Sequence, residues 1–295
     1  MKQQTQAYAY GLATVLCWST IASASKLSLR YMTPAQLVFY ASVVSAVVLF
    51  LVILVQKKGR QLLELTARDG LLSIGFGFLN PFAYYLILFK AYEILPAQQA
   101  QVINYTWAVT LSILSVPLLG QSVSGRQWLV IGLSYSGVIV IATRGNLLSL
   151  QFENPMGVAL ALVSTILWAL YWILNIRDKR DPVIGLFLNF LCATPMCALY
   201  LTLTHGFTPE NPLGLAGAAY IGIFEMGLAF VLWLTAMKLT ASAAKIANLI
   251  FIAPFVSLIF IYFLVGEEIY LSTIAGLFLV IGGLVVQSSQ KREET

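Results

Sequence analysis

Ten mostly apolar stretches, each about as long as a membrane-crossing helix, follow one another along this chain with little between them. A helix that crosses the hydrocarbon of a bilayer needs roughly 20 such residues. The first five stretches run Tyr8–Ser25, Pro34–Val55, Gly70–Phe89, Pro96–Leu119 and Gln127–Thr143. The next five run Pro155–Leu174, Val183–Thr204, Leu213–Thr235, Ala241–Val265 and Ile269–Ser288. The connections are short, and none has room for a soluble domain. Lipid can solvate this much apolar surface; a soluble core could not enclose it. The chain is 59% hydrophobic and 10% charged, against about 45–50% and roughly 25% in soluble domains. The expected fold class is an all-α polytopic membrane protein of ten transmembrane helices.

The net charge of +5 does not point to nucleic acid, because the basic residues stand singly between apolar runs and form no stripe. They do orient the chain. With the N-terminus in the cytoplasm, 13 of the 17 Lys and Arg fall on the inside; only Lys26, Arg30, Lys90 and Arg144 fall outside. Cytoplasmic loops collect positive charge, so both termini are expected there. Ala22-Ser23-Ala24 after an apolar run resembles a signal-peptide cleavage site. Trp18, Ser19 and Thr20 interrupt that run, and cleavage would spoil the repeat below, so the segment is expected to be retained. Cys17, Cys192 and Cys197 lie within apolar segments, which suggests packing rather than disulfides or metal.

The chain also resembles itself. A shift of 145 positions aligns Gly77 with Gly222, Ala91 with Ala236, Ala108 with Ala253, Ser112 with Ser257, Leu119 with Leu264 and Gly137 with Gly282. A shift of 150 pairs Trp18 with Trp168 and Thr14 with Ser164, and one of 148 pairs Pro34 with Pro182 and Phe39 with Phe187. The halves are therefore residues 1–145 and 146–295, each a five-helix repeat. Five crossings end on the side opposite their start, so the second half is expected upside down. Inverted repeats suit transporters, since two mirrored halves can exchange which side of a central site is open.

The second half reads Gly227-Leu228-Ala229-Phe230-Val231-Leu232-Trp233-Leu234-Thr235-Ala236-Met237-Lys238-Leu239, then Pro254, Gly266-Glu267, and Gly276 to Gly282-Gly283. This pattern resembles the EamA-type half of the drug/metabolite transporter superfamily. The opening Cys17-Trp18-Ser19-Thr20 and the aromatic inventory are similar to the superfamily's aromatic amino acid exporters. The resemblance implies a ten-helix bundle in a bacterial inner membrane that exports amino acids, aromatic ones included. There are departures. Gly120-Gln121 stands in half one where half two has Gly266-Glu267. Small multidrug members carry a membrane-embedded Glu in their first helix, but no acidic residue precedes Glu64 here, which argues against proton-driven export of cationic drugs.

Polar groups in hydrocarbon mark sheltered helix faces. In the fourth segment Gln98, Gln101, Tyr105, Ala108, Ser112 and Ser115 form one stripe at helical spacing. The Gln98–Tyr105 part suits a cavity; the serine part suits close helix packing. In the third segment Gly77, Asn80 and Tyr84 share a face that the eighth matches with Gly222, Glu225 and Ala229. Glu225 is the only carboxylate deep within a segment, and it must be protonated, paired or wet. It is expected to contact the substrate amino group or to titrate during the cycle, or else to serve as a protonated or internally bonded structural group. Trp168, Tyr171 and Trp172 lie together on the sixth segment, with Trp18 at the matching place on the first; Trp18, Trp107 and Trp168 are too deep for an interfacial belt, where Trp128 and Tyr270 fit. Aromatic faces with a few amides suit ligands with one apolar and one zwitterionic end, or they simply pack.

Lys26 and Lys245 lie near helix ends and can snorkel; Lys245 with Asn248 could instead meet a substrate carboxylate. Pro81 and Pro254 lie within segments and break backbone bonds. No nucleotide loop, metal-ligand cluster or nucleophile–base pair stands out, so no cofactor, no metal and no enzyme activity are expected. The expected partners are the bilayer and a small-molecule substrate, an amino acid first, another metabolite or drug second. A membrane receptor or sensor is the alternative of a different class.

Overall fold

The computed structural model describes residues 2–120, 124–147, 154–240 and 246–290. These residues are helical with no strand among them. They form ten rods: α1 (Lys2–Ser28), α2 (Pro34–Val55), α3 (Ala67–Ile94), α4 (Ala97–Leu119), α5 (Gly125–Ala142), α6 (Pro155–Asn175), α7 (Pro182–Thr204), α8 (Leu213–Leu239), α9 (Asn248–Val265) and α10 (Leu271–Gln290). Their starts are written in the sequence. The Thr33 hydroxyl accepts from the Gln36 amide while Gln36 reaches back to Thr33, and Pro34 occupies the first turn. Asn154-Pro155 opens α6 and Asp181-Pro182 opens α7 by the same chemistry.

Seven of the rods, α2, α3, α4, α6, α7, α8 and α9, are long and apolar enough to cross a membrane. Ten crossings were expected. The remainder of α5 and α10 offers shorter apolar runs, Gln127–Ala142 and Leu271–Val286. Helix α1 is 27 residues long but diluted by its polar opening and by Ser19, Thr20, Ser23, Ser25 and Lys26. Large apolar side chains face outward along the bundle, with Phe263 76% and Leu129 75% exposed, as lipid contact requires.

Glycines set the closest helix approaches. A Cβ on Gly77 in α3 would lie 2.4 Å from the Asn189 carbonyl oxygen of α7, and one on Gly222 in α8 would lie 2.6 Å from the Ala41 carbonyl oxygen of α2. Gly137 of α5 and Gly276 of α10 pack reciprocally, each against the other's carbonyl oxygen. Helix α1 packs on α8 and α9, whereas α6 packs on α3 and α4.

Two ends of the bundle are distinguished by their bonds. At one end Arg30 reaches the Val265 carbonyl, and Gln36 and Tyr40 reach the carbonyls of Gly206, Thr208 and Phe207. At the other, Lys58 pairs with Asp181 at 2.6 Å, Arg177 bonds the Leu118 carbonyl and Thr240 bonds Gln4. The start of α1 and the finish of α10, which runs antiparallel to α5, both lie at this second end.

Candidate functional site

Helix α3 is broken where the site begins. Asn80 adopts φ −148°, ψ 117°, the Asn80–Pro81 bond is cis, and the chain resumes as helix at Tyr84. A wider π-type turn spans Ile221–Leu228 of α8 and carries Glu225. Such insertions re-aim side chains relative to a regular helix. The re-aimed groups, Tyr84, Tyr85 and Glu225, meet in the interior.

Between α1, α3, α4, α6 and α8 lies a cavity of about 240 Å³. Its walls carry Trp18, Tyr84, Gln101, Tyr105, Trp107, Trp168, Trp172 and Glu225, eight of the thirteen positions singled out from sequence. Trp168 is the hub. It stacks on Tyr84 with ring centroids 4.5 Å apart, meets Trp172 and Trp107 edge-on, and packs against Phe230 at 6.1 Å. Trp18 approaches the same Phe230 at 6.0 Å and leans on Trp233 at 5.4 Å. The two tryptophans paired by the internal repeat thus bracket one phenylalanine.

Polar groups are held at fixed places in this aromatic wall. Tyr85 donates to Oε1 of Glu225 at 3.3 Å, and Tyr92 donates to Oε1 of Gln101 at 2.8 Å. Tyr84 donates to the Asn104 carbonyl oxygen at 3.4 Å, and the Asn104 amide donates to Ser164 at 2.9 Å. Glu225 is the only carboxylate among the lining residues described. Ile176, 68% exposed, stands at the mouth.

The remaining positions are placed elsewhere. Gln98 belongs to a closure at the far end: its carbonyl oxygen accepts from the Tyr270 amide and the Thr273 hydroxyl, and its amide donates to the Glu268 carbonyl. A turn at Thr106 breaks the straight stripe, so Gln101 and Tyr105 face the cavity while the Ser115 hydroxyl returns to the Leu111 carbonyl of its own helix. Asn80 is fully buried at the kink and lines no described cavity. The Tyr171 hydroxyl lies among the amides of Asn80, Asn189 and Asn175 in an adjoining pocket of about 130 Å³. Asn248 opens a 3₁₀ turn whose Ile250, rather than Asn248 itself, lines the cavity. Lys245 lies outside the described residues.

Sequence reasoning missed Tyr92, Asn104, Trp233 and Phe230. Two of these were findable. Asn104 lies three residues beyond Gln101 on the same stripe, and Trp233 lies eight beyond Glu225, two turns along one face.

The two ends of the bundle differ. At the far end Glu267 accepts from the backbone amides of Ala97 at 2.7 Å and Gln98 at 3.3 Å, the free amides of a helix start. Lys26 donates to the carbonyls of Tyr92 at 2.8 Å and Leu95 at 2.6 Å. Toward the mouth, Arg180 forks onto Asp178 and also bonds Ser73 and the Asp69 carbonyl. Burial works to raise the Asp178 carboxyl, but the Arg180 hydrogen bonds prevail and hold it below its ordinary value.

Fold and site together define an α-helical membrane protein with an interior, aromatic-lined cavity among its described residues. The EamA-like transporter family model matches the chain twice, over residues 5–143 and 155–289. The chain belongs to that family. It is 25% identical to an uncharacterized transporter of Clostridium kluyveri over 97% of this chain and 94% of that one. It is 24% identical to the uncharacterized transporter YvbV of Bacillus subtilis over 95% and 90%, and 23% identical to one from Archaeoglobus fulgidus over 95% and 96%. A solved crystal structure of a protein 20% identical in sequence shares the fold, with a TM-score of 0.68 over 99% of both chains.

Proposed function

We propose that this transporter exports amino acids, aromatic ones included, across a bacterial inner membrane by alternating access, without catalysing a reaction. The observation that carries the cargo reading is the cavity wall. Trp18, Trp107, Trp168 and Trp172 enclose a space of about 240 Å³ with one carboxylate, Glu225, on its lining. That volume lies just below the range of drug-sized pockets, which suits one small metabolite with an aromatic face. The opening Cys17-Trp18-Ser19-Thr20, which resembles that of aromatic amino acid exporters, is in keeping with this reading. Glu225 receives the substrate's ammonium group.

The mechanism rests on two inverted five-helix halves, residues 1–145 and 146–295, crossing the bilayer ten times in all. The repeat shifts support this pairing in detail. Gly77 and Gly222 correspond by 145 positions, and their contacts, Asn189 and Ala41, correspond by 148. One contact is therefore made twice, with the halves exchanged. The terminal segments share an end of the bundle with Lys57, Lys58, Arg60, Arg177, Lys179 and Arg180. By the positive-inside rule that end is cytoplasmic, so the cavity mouth faces the cytoplasm and the Glu267 closure faces out.

Counterflow into proteoliposomes of purified protein, using labelled phenylalanine, tests the proposal. Saturable uptake, lost in Glu225→Gln at equal protein level, is expected. Absence of amino acid flux in the wild type refutes the cargo; unchanged flux in Glu225→Gln refutes the role of the carboxylate.

A further inference from the structure

Three enclosed polar atoms on the cavity-lining residues are without a partner. The Gln101 side-chain nitrogen Nε2, the Trp172 indole Nε1 and the Glu225 oxygen Oε2 are closed off from solvent and have no hydrogen-bond partner. All three residues line the same cavity, and Gln101 is 1% exposed. Buried polar atoms in folded proteins are almost always satisfied, and each one left bare is costly. Carried by α4, α6 and α8 around one cavity, the three define the chemistry of a ligand that would satisfy them.

Their orientation is fixed by neighbours. Tyr92 holds the carbonyl oxygen of Gln101, which turns the amide nitrogen away from it. Tyr85 holds Oε1 of Glu225 and leaves Oε2 free. Trp172 is braced parallel to Trp107, with centroids 6.4 Å apart. The cavity-lining residues thus carry two unpartnered N–H donors and one unpartnered carboxylate oxygen beside a bank of aromatic faces. Two donors match a carboxylate; an acidic acceptor matches an ammonium.

We infer that Gln101 and Trp172 bind the α-carboxylate of the substrate while Glu225 binds its α-ammonium, so that the site selects a zwitterionic head group. The inference rests on the amino acid reading above and deepens it. A site for organic cations would need Glu225 and the aromatics but no donors. Selection here comes from the donors, which an amine without a carboxylate leaves bare. Charge arithmetic agrees, because a zwitterion brings no net charge into the hydrocarbon region.

The test compares binding of labelled phenylalanine, phenethylamine and 3-phenylpropionate to purified protein in lipid nanodiscs. Wild type should bind phenylalanine at least tenfold more tightly than either analogue, the size of one hydrogen bond to a charged group. Gln101→Leu should weaken phenylalanine at least tenfold and leave phenethylamine within threefold. Gln101→Glu should lose phenylalanine and gain phenethylamine, a reversal that misfolding cannot produce. Phenylalanine binding and discrimination unchanged in both variants would overturn the inference while leaving the amino acid reading intact. No phenylalanine binding by wild type would overturn that reading itself.

Discussion

Tyr85 donates its hydroxyl hydrogen to Glu225 across the interior of the bundle, joining the helix of the Asn80 break to the helix of the π-turn. The bond decides which carboxylate oxygen faces the cavity. Tyr85→Phe should leave the fold and the aromatic wall intact but free Glu225 to rotate. Loss of a bond to a charged group costs roughly 1.5–3 kcal/mol when fully expressed. Phenylalanine counterflow is expected to show Km raised about tenfold, with less effect on the maximal rate. Loss of rate at unchanged Km would assign Tyr85 to conformational exchange instead.

The paired glycine contacts make a symmetric prediction. A methyl group on Gly77 or Gly222 meets backbone carbonyl oxygen at 2.4 or 2.6 Å, which no rotamer can relieve. Gly77→Ala and Gly222→Ala should each destabilise by about 1–3 kcal/mol, by similar amounts. Gly75→Ala and Gly132→Ala, with nothing within 4 Å, should be neutral or stabilise by up to about 1 kcal/mol. Thermal unfolding in detergent, followed by tryptophan fluorescence, measures all four. Equal effects at Gly75 and Gly77 would remove the packing argument.

How much of this was legible beforehand depended on which interaction decides each feature. The apolar helical segments and the deep tryptophans could be read because hydrophobicity and periodicity set them, although α1 and α3 extend beyond the expected Tyr8–Ser25 and Gly70–Phe89. Gln98 could not. It sits on the cavity-side stripe, but the Tyr270 amide and Thr273 hydroxyl, far away in sequence, claim its carbonyl oxygen. Asn80 looked equivalent to Glu225 by repeat, yet the backbone break at Asn80 itself turns that side chain off the cavity. Tyr92 became legible only once a tertiary contact brought it onto Gln101. A turn at Thr106 likewise divided a stripe that spacing alone presents as continuous.

The Glu267 closure predicts a bias between states. Glu267→Ala removes the acceptor for the Ala97 and Gln98 amides and should favour opening at that end. A membrane-impermeant maleimide applied from outside to a Leu95→Cys variant, buried at that end and bonded to Lys26 only through its backbone, is expected to react about tenfold faster with the second change present, the equivalent of about 1.4 kcal/mol. Unaltered reactivity would make the closure a passive contact.

At the other end, the Lys58–Asp181 pair predicts a pH dependence. Burial tends to raise the Asp181 carboxyl, but the hydrogen bond and charge of Lys58 together with the Val183 and Ile184 amides outweigh it and hold the group below its ordinary value. A depressed folded value means the stabilisation is present above about pH 4 and is lost as pH falls through that depressed value. Lys58→Met should therefore lower the unfolding temperature at pH 7, and the gap from wild type should narrow toward pH 3. A gap independent of pH would contradict the assignment.

The central claim is that one cavity is reached from either side of the membrane in turn. Leu111, on the cavity wall, is the place to ask. With Cys17, Cys192 and Cys197 replaced by Ser, a Leu111→Cys variant in oriented vesicles would be probed with impermeant maleimide from each face. Labelling from the cytoplasmic face at rest is expected, with labelling from the opposite face rising when Glu267→Ala is added and cytoplasmic labelling falling in step. Labelling from one face only, whatever the condition, would contradict alternating access.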